Sequence, residues 1–392
     1  MNELIKSRLG GLRKSLEKFS KQMAEFELKS DNIEKFSDMV YSQMKEVGFD
    51  KVGKDKAGNV IGVIKGYDSK QDIVMISHVD MQGSAYFKHG IAEAIYAGAL
   101  IKRALIPLTG DLIVCCVPRA ECNDYGIRYI FSDFLKERLP FIKGVILCEP
   151  TDFNVYLGHK GRIEYEIVVK GKLGKDFLEN RGVNMLGSMF PLINELEKAS
   201  HTLPTDCELG ASSLKIKDVE YQGVMPVKDN KEFKIVVDRA FVPEESSSAI
   251  LIKAKAIGKN VYKEGPEVEV NTALTKSRIK TYTGLEMVSE KEFKPWKMES
   301  HNLLAIDSLE ALKENKFNSS IGYWKKIITE GSFTYGKLGI PTIGFGAGAE
   351  DFIATPAGKV TLNEIEKAIY GQALIIQKNI GMPTFGWSED EI

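Results

Sequence analysis

The sequence is short of the features that mark a compartment or a ready-made chemistry. It has only five cysteines, Cys115, Cys116, Cys122, Cys148 and Cys207, with no CxxC pair. An odd set without that spacing argues against a disulfide framework and for reduced thiols in a cytoplasmic protein. No run of 18 apolar residues occurs, and Met1-Asn2-Glu3 leads straight into a charged helical pattern. Neither a membrane span nor a secretory signal is expected. Charge of one sign is missing as well: 53 Lys+Arg stand against 54 Asp+Glu, a net charge of -1. That leaves no field suited to nucleic acid, and the basic stretch Lys6 to Lys21, interleaved with Glu17, reads as a solvated helix face. No GxSxG is present, so Ser77 beside His78 lacks the context of a serine nucleophile. The run Gly344-Phe345-Gly346-Ala347-Gly348 lacks the last glycine of a dinucleotide fingerprint and reads as glycines lining a crevice.

What is there describes a soluble globular chain of two domains, since 392 residues exceed one ordinary core. Two helices are expected at 3–30 and 31–47, the second with Ile33, Phe36, Val40, Met44 and Val47 at helical spacing. Strand signals at 59–64, 72–77, 112–117 and 145–148 then alternate with helical signals at 91–104 and 124–135. The fold class that follows is α/β, with a mostly parallel doubly wound sheet. From Gly161 the pattern changes, and Ile163, Tyr165, Ile167 and Val169 alternate with polar residues. A helix at 185–198, strands at 213–219 and 233–237, a helix at 244–256 and a strand at 268–270 complete the order β-α-β-β-α-β. This is a ferredoxin-like insertion over 163–275, which makes the α/β domain discontinuous, 1–162 plus 276–392. That domain resumes with a helix at 301–312 capped by Ser300, a strand at 340–345, and a closing helix at 362–379 ended by Gly381.

The chemistry centres on Asp72 to Asp80, DIVMISHVD, an apolar strand with His78 and Asp80 at its carboxyl end. Ligands bind at that end of a parallel sheet, and an imidazole beside a carboxylate is a common zinc-ligand pair. Three acidic clusters at other strand ends could converge on His78. They are Pro118-Arg119-Ala120-Glu121-Cys122, Glu149-Pro150-Thr151-Asp152 and Ala349-Glu350-Asp351. Glu149 is the strongest second ligand, because it follows a buried strand directly and Pro150 fixes the chain after it. His89 or Glu121 could bring the set to the three ligands of a catalytic zinc, although His89 also reads as the start of a helix. His201 reads as surface.

With these signals in order, the chain resembles the dinuclear-zinc aminoacylase and carboxypeptidase family, which includes acetylornithine deacetylase and succinyl-diaminopimelate desuccinylase. The likeness runs end to end through ISHVD, LCEPTDFNVYLGHKGRIEYEIVVKG, VVDRAF and GIPTIGFGAG. It implies hydrolysis of amide bonds in acylated amino acids or small peptides, two metals, a glutamate base, and an inserted lid domain that also forms the dimer surface. Residue by residue, His78 matches a metal histidine, Asp80 the aspartate that orients it, and Glu149 a carboxylate on the same metal. Elsewhere the match fails. Tyr86-Phe87-Lys88-His89-Gly90 stands where a bridging aspartate is expected, and Arg119-Ala120 where two glutamates are, leaving Glu121 as the acidic residue. Gly174-Lys175-Asp176 carries no lid histidine, and Ala354-Thr355 replaces the last metal histidine. Arg119 and Lys88 would also set positive charge where metal belongs. The expectation is therefore a degenerate member with no tightly bound metal, or at most one zinc. It would be a homodimer, or a partner of an active paralogue, with a small peptide or acyl-amino-acid ligand. Two further readings stay open: a divergent mononuclear zinc hydrolase with Glu121 as ligand or base, and a scaffold with a filled cleft.

Overall fold

The run Ile73-Val74-Met75-Ile76 is wholly buried, and it forms the middle of the main sheet. A computed structural model describes residues 2–28, 32–68, 70–80, 88–119, 124–172, 185–222, 230–263, 268–351 and 360–382. The sheet strands are β1 (Lys51–Lys54), β2 (Val60–Ile64), β3 (Asp72–Asp80), β4 (Leu112–Arg119), β5 (Ile142–Leu147) and β6 (Val155–His159). They are joined by Ile321–Trp324 and Thr342–Gly344. β4, β3, β5 and Thr342–Gly344 lie side by side and parallel. β2 pairs antiparallel with β4 and with β1 on one flank, and Thr342–Gly344 pairs antiparallel with β6 on the other. The mostly parallel α/β class is thus correct for the centre, where Val- and Ile-rich strands are covered on both faces. On one flank β1 and β2 are joined by only five residues and form a hairpin, since a parallel pairing would need a longer crossover.

Helices α1 (Asn2–Leu9), α2 (Arg13–Glu25), α3 (Ile33–Glu46), α4 (His89–Arg103) and α5 (Tyr125–Ser132) belong to the same compact unit as this sheet. The expected single helix over 3–30 is interrupted, since Gly10-Gly11 tightens into a 3-10 turn at Gly10–Leu12. α4 is buried from His89 to Ile101 and packs on β3 and on the closing helix Leu362–Ile380. The helix expected from His301 with Ser300 as cap begins instead at Leu303, where Asn302 Oδ1 accepts from Leu304 N at 3.0 Å. Gly381 does end the closing helix, but at φ -68 it needs no left-handed freedom. A Cβ there would collide with the Gln377 carbonyl.

The chain divides into two compact units. One comprises Met1–Gly158, Ile279–Met287 and Lys297–Ile392, the other His159–Arg278 and Val288–Trp296. In the second, strands run in the order Ser213–Gln222, Asn230–Phe241, β7 (Gly161–Lys172), Val268–Leu274, and neighbours are antiparallel. Helices Met185–Ser200 and Ser247–Val261 complete β-α-β-β-α-β. The alternation in β7 decides its faces: Ile163, Tyr165, Ile167 and Val169 join Leu192, Leu196, Phe233 and Ile235 in one apolar cluster. The other face carries ion pairs, among them Arg162–Asp238 and Lys170–Glu232. The segment 288–296 belongs to this unit although it lies outside the expected 163–275, because Phe293 returns to pair with β7 at Arg162.

Candidate metal centre

Three buried donors meet at the carboxyl end of the parallel strands. His78 sits near the end of β3, and Glu149 two residues beyond β5. Glu330 comes from the loop between Ile321–Trp324 and Thr342–Gly344. Their ligand atoms all lie within 4.8 Å of one another. His78 Nδ1 is 2.6 Å from Glu149 Oε1 and 3.8 Å from Glu330 Oε2. Side-chain exposures of 2%, 2% and 5% place two carboxylates and an imidazole out of water. Like charges so buried repel unless a positive group sits between them.

Local structure explains why these residues converge. β3 and β5 are parallel neighbours, and Cys148 N donates to Ile76 O, so His78 and Glu149 leave the sheet side by side. After Glu149 the chain is clamped: Trp324 Nε1 donates to Pro150 O at 2.9 Å, and Thr151 Oγ1 accepts from Gly346 N at 3.0 Å. Asp152 and Phe153 then take φ of 50° and 60°, two consecutive left-handed residues held by donation to Gly348 O and Gly346 O. Glu330 is fixed by the turn after it, in which Phe333 N and Thr334 N donate to its carbonyl. Gly346 has the contact its residue type implies: a Cβ there would lie 2.5 Å from Glu149 O and 2.9 Å from Glu93 Oε2. The glycine run lines this crevice.

Of the residues singled out in the sequence, His78 and Glu149 are together. His89 is the first residue of α4, and its Nδ1 is 2.7 Å from Glu93 Oε1, so it is not part of the three-donor cluster. Asp80 is the last residue of β3, and its side chain lies outside the described residues, as does that of Arg119. Glu121 lies outside them entirely, with Tyr86, Phe87, Gly174, Lys175, Asp176, Ala354 and Thr355. The expectation for Lys88 is overturned. Its ammonium donates to Met23 O and Phe26 O at the end of α2, where carbonyls carry the negative end of the helix dipole. Burial lowers its pKa. The Ala349-Glu350-Asp351 cluster does not reach His78 either. Glu350 accepts from Lys325 N and Lys326 N, and Asp351 pairs with Lys326. His201 is exposed.

Glu330 was missed because it follows no strand and matches no motif. One signal exists: it is the lone charge between Lys326 and Lys337. An isolated acid in an apolar stretch is a candidate for a buried role.

No protein-family model matches the chain. Among curated proteins it is 26% identical over 388 residues to the uncharacterized protein YgeY of Escherichia coli, covering 91% of this chain and 92% of that one. It is 22% identical over 292 residues to an uncharacterized metallohydrolase of Methanocaldococcus jannaschii, covering 70% and 77%. Among solved structures, the YXEP protein of Bacillus subtilis is described as a dinuclear metal binding peptidase from the M20 family. It superposes with a TM-score of 0.67 over 94% of this chain and 98% of that one at 13% identity, a likeness of fold. No helix among the described residues is long and apolar enough to cross a membrane.

Proposed function

From the premise that this chain has the fold of the M20 dinuclear metal-binding peptidases, we propose that it is a hydrolase of amide bonds in small peptides or N-acyl amino acids, dependent on one divalent ion. The observation that carries this reading is the convergence of His78, Glu149 and Glu330. The donors suit a zinc-like ion: an imidazole and two carboxylates, with Glu330 Oε2 buried and lacking a hydrogen-bond partner among the described residues. When bound, such an ion supplies Lewis-acid polarisation of a carbonyl and acidifies water. His78, Glu149 and Glu330 would hold it. The Trp324–Pro150 and Thr151–Gly346 hydrogen bonds keep Glu149 in place when the ion is absent, and so lower the reorganisation needed on binding. The reading of one ion rather than two rests on the resemblance, whose further ligand positions fall on Tyr86, Arg119, Ala120 and Ala354, none of them a carboxylate or an imidazole.

Those same positions favour a second reading, a relative that binds its ligand without cleaving it. Metal analysis of the purified chain and a hydrolysis assay on dipeptides and N-acetyl amino acids separate the two. The hydrolase reading expects one bound ion per chain, lost in Glu330→Gln and His78→Ala, and turnover that a chelator stops. A chain that binds the ion but turns over none of these substrates supports the second reading.

A further inference from the structure

A second imidazole–carboxylate pair lies beside the donor cluster and takes no part in holding the proposed ion. His89 and Glu93 are one turn apart on α4, joined Nδ1 to Oε1 at 2.7 Å, with exposures of 6% and 0%. Glu93 Oε1 also accepts from Ala347 N at 3.4 Å, and Oε2 from Gln372 Nε2 at 3.3 Å. Gln372 Nε2 is itself anchored on Phe345 O at 3.1 Å. The start of α4 is pressed against the site, since a Cβ on Gly90 would collide with Cys148 O and come within 3.0 Å of Ser77 Oγ. Those residues adjoin Glu149 and His78. Burial pushes the Glu93 carboxyl above the usual carboxylate range, the facing His89 and the Ala347 amide oppose the rise, and Glu149 adds to it. A carboxylate in such a place is tolerated because the imidazole and two N–H groups face it.

The geometry points to a proton-handling role for this pair: Glu93, as a positioning residue, sets the tautomer and orientation of His89, and His89 passes the proton during amide cleavage at the His78–Glu149–Glu330 centre. The proposal rests on the hydrolase reading. In the step, water oxygen bonds to the acyl carbon and the C–N bond breaks. One water proton goes by way of His89 to the departing nitrogen, leaving an acid and an amine with no redox change. An i,i+4 pair buried on a packed helix suits the task, because neither partner has rotamers to lose.

The test uses the full chain, zinc as the metal, and N-acetyl amino acids and dipeptides as substrates, with Glu93→Gln, His89→Asn and, should the latter not fold, His89→Gln. Three quantities are read: bound zinc, kcat and KM separately, and the imidazole 15N signals of the metal-free protein. We expect each variant to keep its zinc and its KM while kcat falls about 10²-fold or more. In the wild type His89 should show a single tautomer protonated at Nδ1, which Glu93→Gln weakens. A His89 variant that loses zinc would make His89 a ligand, and one that keeps zinc and full turnover would remove its role; either overturns the proposal while wild-type turnover stands. A zinc-loaded wild type that hydrolyses none of the substrates overturns the hydrolase reading and the proton step with it.

Discussion

At the scale of single residues, the centre depends on a few positions where nothing larger or differently charged fits. Gly346 is one. An alanine there would place Cβ 2.5 Å from the Glu149 carbonyl and 2.9 Å from the Glu93 carboxylate, both buried. Gly346→Ala should destabilise the fold by about 1–3 kcal/mol, the usual cost of overpacking, and weaken metal binding by moving Glu149. Urea denaturation and zinc titration check the two effects, and a variant as stable as the wild type with unchanged affinity would contradict them. Glu164 gives a pH dependence. Burial raises its carboxyl, but hydrogen bonds and charge from Lys217 and Lys291 outweigh that and hold it below its ordinary 4.5. A carboxyl lowered in the folded state adds stability above its unfolded value, and that stability is lost as pH falls through the folded value. Glu164→Gln should cost about 1–2 kcal/mol at pH 7, and the gap to the wild type should close as the medium is acidified below 4.5. Equal loss at all pH values would show the change to be steric.

At the scale of elements, two helices end in a way the sequence obscures. α4 stops at Ala104, with Leu105 N donating to Lys102 O and Ile106 N to Ile101 O. The helix Leu303–Glu314 stops alike, with Lys316 N donating to Lys313 O and Phe317 N to Leu312 O. These are Schellman endings, whose left-handed position usually holds glycine. Here it holds Leu105 at φ 53 and Lys316 at φ 66. Leu105 is 83% exposed, so replacing it forfeits little packing. Leu105→Gly should therefore raise stability by about 0.5–1 kcal/mol, seen as a higher urea midpoint with an unchanged slope. The lack of glycine at these positions is also why helix ends were harder to read than helix centres.

At the scale of the whole chain, His78, Glu149 and Glu330 all belong to the first unit, although some 250 residues separate the first from the last. Zinc should then act on that unit by linkage, adding about 4 kcal/mol at a free concentration near 1,000 times Kd. In calorimetry the transition of the first unit should move up with zinc and return with a chelator, while that of the second stays in place. A shift of both would mean that the ion also engages the second unit. Self-association is expected through the second unit, where Ser213–Gln222 ends the sheet order. Light scattering at twice the chain mass is the expected result, and scattering at the single-chain mass would contradict it.

The alternation of apolar residues in β7 and the buried run in β3 were enough to define the strands, the α/β class and the inserted sheet, because side-chain periodicity is a local property. His78 and Glu149 were legible for a related reason: each lies at the end of a strand whose direction is implied by its buried run. Glu330, the Lys88 ammonium turned onto α2, and the burial of the i,i+4 pair His89–Glu93 against Ala347 and Gln372 were decided only by tertiary structure. Their partners come from segments distant in the chain or from the choice between two faces of a helix, and no spacing in the sequence encodes which distant segment a buried charge will meet.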